Sequence, residues 1–150
     1  MLGLLKSLFG LSGATPAAAP PPRLAVAALM VEAATLDGTF DQAERDRALE
    51  LLARHFDLEE REAATLLAEA EALHARSVQL VGMTQAVKNA FDHDQRIAVL
   101  EMLWEVVYAD GHLHDYEANL LRRLAGLVYV PDQDAGAARK RVVARLGLPD

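Results

Sequence analysis

The chain has 150 residues, no cysteine and a formal net charge of −7; it is long enough for one domain with a real core, and disulfides, thiolate metal centres and cysteine nucleophiles are excluded. Its acidic residues are spread through the body, so a phosphate backbone would be repelled over most of the surface and no nucleic-acid partner is expected. Hydrophobic residues make up 52% and aromatics 5%, a balance that favours helices over strands, and the expected fold class is all-α.

The first predicted element is a short amphipathic helix within residues 1–12, where Leu2, Leu4, Leu5, Leu8, Phe9 and Leu11 form an apolar stripe opposite Lys6 and Ser7. It either docks on the body or serves as a docking or membrane-surface segment, with a single lysine to attract anionic lipid. No basic region precedes its apolar residues, so a cleaved secretory signal is not expected. The longest apolar run, Leu24 to Val31, is far too short to span a bilayer. The expected location is the cytoplasm, with peripheral association at the inner membrane face through residues 1–11 as the variant. Residues 13–22 are rich in Pro and Ala and read as a semi-rigid spacer, leaving residues 23–150 as the folded domain.

Val26, Leu29, Met30, Ala33 and Leu36 predict a buried helix from Leu24 to Leu36, closed by Asp37-Gly38. Asp41, with Glu44 three residues on, forms a capping box that opens a helix to about Phe56. Asp57 with Glu60 predicts another box, opening a helix from Leu58 to about Ala75, and Val78 to Phe91 forms the next. Asp92 and Gln95 cap the helix that holds Ile97, Leu100, Leu103, Trp104 and Val107 and ends at Asp110-Gly111. His114 or Asp115 starts a helix to about Leu127. Asp132 caps a last helix reaching Leu146, whose first turns Gly136 weakens. The sum is a bundle of about seven helices.

Two of these helix ends are copies of each other. Glu32-Ala-Ala-Thr-Leu-Asp37-Gly38-Thr-Phe-Asp-Gln-Ala-Glu44 superposes without a gap on Glu105-Val-Val-Tyr-Ala-Asp110-Gly111-His-Leu-His-Asp-Tyr-Glu117, and both read E-x4-D-G-x5-E. The same offset matches Val26 with Val99, Leu29 with Met102 and Leu51 with Leu124, so the helix–turn–helix is duplicated. Asp-Gly followed by a capping glutamate is what many helix–turn–helix units use, and that structural reading accounts for most of each copy. Glu32 and Glu105 have no capping role. Each lies inside an apolar stripe, where a carboxylate needs a cation, a bound metal or several N–H donors.

The turn brings Asp37 near Glu44, and Asp110 near Glu117, leaving carboxylates and turn carbonyls facing one space, as a hard cation such as Ca2+ or Mg2+ requires. The spacing partly matches an EF-hand loop, but Ala33 or Val106 occupies the first ligand position and Thr35 or Tyr108 the third, so an EF-hand is not expected. His112 and His114 add nitrogen donors in the second copy only, and Asp41 stands opposite His114 in the first; ordinary exposed turn positions are the simpler reading of both histidines. Trp104, Tyr108 and Phe91 read as core.

With its paired D-G-x5-E motifs, the stretch Asp92-His-Asp-Gln-Arg-Ile and the block Leu-Trp-Glu-Val-Val-Tyr-Ala-Asp-Gly, the sequence from Leu24 to about Leu148 resembles the tellurite-resistance TerB-like family. The resemblance implies an all-helical bundle with pseudo-twofold repeats, in proteins linked to stress responses, tellurite resistance and membrane-associated complexes. It also implies a metal site at Glu32, Asp37, Glu44, Glu105, Asp110 and Glu117. Two readings follow: a non-enzymatic domain that binds a divalent cation, Ca2+ or Mg2+ first, and a protein-interaction or membrane-associated module, akin to a co-chaperone domain, whose acidic residues are structural. Protein partners are expected under the second. No catalytic residue is assigned, since no phosphate-cradling Gly-rich loop, G-x-S-x-G or H-E-x-x-H is present.

Overall fold

Pro22 sits at the first position of α1 (Pro22–Ala34), where a missing N–H is no loss because first-turn donors have no helical acceptor. Pro22, expected to belong to the spacer, is thus helical, and the carbonyl of Pro21 before it accepts from Ala25 N at 2.9 Å. The structure, a computed structural model, describes residues 21–35, 40–75, 80–109, 111 and 115–148, and of residues 80, 81 and 115–117 the backbone alone. The predicted N-terminal helix and Asp37-Gly38 lie outside the described residues.

α1 ends sooner than Leu36. Thr35 is its C-cap, with both its N–H and its hydroxyl donating to Val31 O, at 3.0 and 2.7 Å. Asp41 opens α2 (Gln42–His55) through the predicted capping box: its side chain accepts from Glu44 N at 2.8 Å, and Glu44 Oε1 accepts from Asp41 N at 3.0 Å. The box predicted at Asp57 is displaced. Asp57 takes a left-handed φ of 54° and closes α2, with Leu58 N donating to Ala53 O at 2.8 Å. A residue so placed is not in the extended conformation an N-cap needs. Glu59 stands there instead, its N–H reaching Glu62 Oε1 at 2.9 Å, ahead of α3 (Glu60–Ala75).

After α4 (Leu80–Ala90), Asp92 and Gln95 form the predicted box at the start of α5 (His93–Val107). α5 stops at Tyr108, three residues before the expected Gly111, which does take a left-handed φ of 84°. α6 (Asp115–Leu127) starts within the predicted pair of residues. It closes through Tyr129 at φ 62°, with Val130 N on Ala125 O. α7 (Asp132–Leu146) is preceded by Pro131 rather than capped by Asp132, and ends at Gly147 with φ 70°. The described residues hold seven helices and no strand.

The duplication is visible in the helix boundaries. Ala34 and Val107 close α1 and α5, Thr35 and Tyr108 cap them, and Gln42 and Asp115 open α2 and α6, all at the offset that relates Glu32 to Glu105. α1–α2–α3 thus recur as α5–α6–α7, with α4 between. Packing follows the same plan, α1 against α3 and α5 against α7. α1 also meets α4, α5 and α2, and is buried on nearly every side from Ala25 to Ala34; a helix apolar all round belongs in a core. Its alanines let neighbours approach closely. α5 is the second such helix, with Trp104 and Tyr108 stacked at 5.6 Å. Phe91 packs at the edge of this core.

Candidate functional site at the duplicated motif

In the first unit Glu32 lies near the end of α1 with its side chain a third exposed, and Oε1 stands 3.4 Å from His74 Nδ1 on the last turn of α3. The other ring nitrogen, Nε2, is 3.3 Å from Thr35 Oγ1, whose hydrogen goes to Val31 O. Glu44 is almost fully buried, at 2% exposure, with its carboxylate turned back onto Asp41 N. Asp41 spends an oxygen on the same box. Asp37 lies outside the described residues.

One residue on from Glu44, Arg45 makes a bidentate pair with Glu71 of α3, Nη1 to Oε1 at 2.8 Å and Nη2 to Oε2 at 2.7 Å, while its guanidinium covers the Phe40 ring at 4.7 Å. The guanidinium hydrogen bonds hold the Glu71 carboxyl below its ordinary range and push the arginine up. This clamp fixes α2 to α3 beside the motif.

In the second unit Glu105 is 7% exposed and sits between two arginines. Arg47 Nη1, from α2, donates to Oε1 at 3.4 Å, and Arg145 Nη2, from the last turn of α7, stands 3.6 Å from Oε2. Arg145 also reaches Glu101 one turn back on α5, at 3.2 Å, and Arg141 grips the other Glu101 oxygen at 2.9 and 3.1 Å. Two carboxylates and three guanidiniums therefore tie α5 to α7 and to α2. Charge-assisted bonds of this kind satisfy a buried carboxylate without a metal. Glu117 falls in α6, described by its backbone; Asp110, His112 and His114 lie outside the described residues.

Glu32 and Glu105 thus each meet a basic residue from the last turn of their own unit's third helix. Among the described residues no three Asp, Glu or His side chains converge in the way a metal ion needs. Sequence reading missed Glu101, Arg47, Arg141, Arg145 and the partner of His74. The signal within reach was the i, i+4 spacing of Glu101 with Glu105 on α5 and of Arg141 with Arg145 on α7, two matched pairs on facing helices. His93 meets Asp134 at 3.1 Å.

The model of the tellurite resistance protein TerB family matches residues 23–140. The chain belongs to the TerB family. No curated protein matches it. Among solved structures it is similar to a protein of unknown function from Porphyromonas gingivalis, at 18% identity and a TM-score of 0.59 over 93% of this chain and 99% of that one. That likeness is one of fold. The family match establishes the TerB bundle that the paired motifs suggested, and among the described residues no helix is long and apolar enough to cross a membrane.

Proposed function

We propose that this TerB chain is a non-enzymatic interaction module of a stress-associated, tellurite-resistance type assembly, in which the first glutamate of each motif copy is a structural ion-pair partner rather than a ligand. The observation that carries the reading is Glu105, buried at 7% exposure between Arg47 and Arg145. A cation there would have to displace two guanidiniums already neutralised. The protein partner, and recruitment to a membrane surface through residues 1–11, belong to the same proposal; deleting residues 1–21 should abolish recruitment and leave the melt unchanged.

A second reading is favoured by Glu44, a carboxylate held away from water at the start of α2, seven residues after Asp37 in the sequence. In it, a divalent cation, Ca2+ or Mg2+, is held by Asp37 with Glu44 and by Asp110 with Glu117, without Glu32 or Glu105. Thermal melts with Ca2+, Mg2+, Mn2+ and Zn2+ at millimolar concentration separate the two, since a ligand that binds the native state raises its melting temperature. The module reading expects no shift. A shift lost on combining Glu44→Ala with Glu117→Ala selects the second reading instead.

A further inference from the structure

We draw no further inference here: the strongest candidate, the cavity of about 420 Å³ between α5, α6 and α7 over Leu100 and Trp104, is bordered by charges of both signs, Arg122 and Arg139 with Asp132, and nothing in the structure shows what covers it.

Discussion

At position 47 the first unit carries an arginine, and at the matching position 120 the second carries a leucine that is 6% exposed. Glu105 therefore receives Arg47 from across the bundle, and Glu32 receives no counterpart from α6. This difference makes Glu105 the more consequential of the two. Glu105→Gln removes a buried charge from between two guanidiniums and should cost about 1–2 kcal/mol, whereas Glu32→Gln, a third exposed and paired with a histidine, should cost under about 0.5 kcal/mol. Denaturant titrations measure both. A double-mutant cycle of Arg47→Met with Glu105→Gln should return a coupling of about 1 kcal/mol; independent effects would mean the pair is not formed. The Arg45–Glu71 clamp has a pH signature. Because Arg45 holds the Glu71 carboxyl below its ordinary value of 4.5, its contribution is present above that value and is lost as pH falls through the lower folded one. The difference in melting temperature between the native chain and Glu71→Gln should accordingly shrink below about pH 4.5 and stay flat above it.

At the scale of elements, the boxes at Asp41 and Asp92 were legible because an N-cap and its N3 partner lie in one turn of chain and need nothing else. The box expected at Asp57 was misplaced for a reason of the same scale. Two D/E-x-x-E frames overlap there, and the close of α2 takes Asp57 for its left-handed residue, which passes the N-cap to Glu59. A side chain in that conformation carries a steric cost that glycine lacks. Asp57→Gly should raise stability by about 0.5–1 kcal/mol, read as a rise of about 2–3 °C in melting temperature, whereas Asp92→Ala should lower stability by about 1 kcal/mol. A fall with Asp57→Gly would contradict the assigned turn.

For the whole molecule, the bundle and its duplication could be read from sequence because the repeat has no gap between Glu32 and Glu44 and because the apolar residues of α1 and α5 leave no doubt about where they are buried. The meaning of the conserved spacing within the repeat could not be read the same way. Glu105 is 58 residues from Arg47, and Glu101 is 44 from Arg145; helical periodicity finds neighbours one turn away and is blind to which faces of distant helices meet. An acid on an apolar stripe signals that a partner exists and leaves its kind open, so a metal and an arginine pair predict the same sequence. In the fold, three guanidiniums serve Glu101 and Glu105, and the same network fixes α5 to α7 and α2.

The most direct measurement of that assignment is a calorimetric titration of Ca2+ and Mg2+ into the native chain and into Glu105→Gln, with melting temperatures of both. A structural Glu105 predicts a lower melting temperature for the variant and no difference between the two titrations. A saturable heat in the native chain that disappears in Glu105→Gln would contradict the account and make Glu105 a metal ligand.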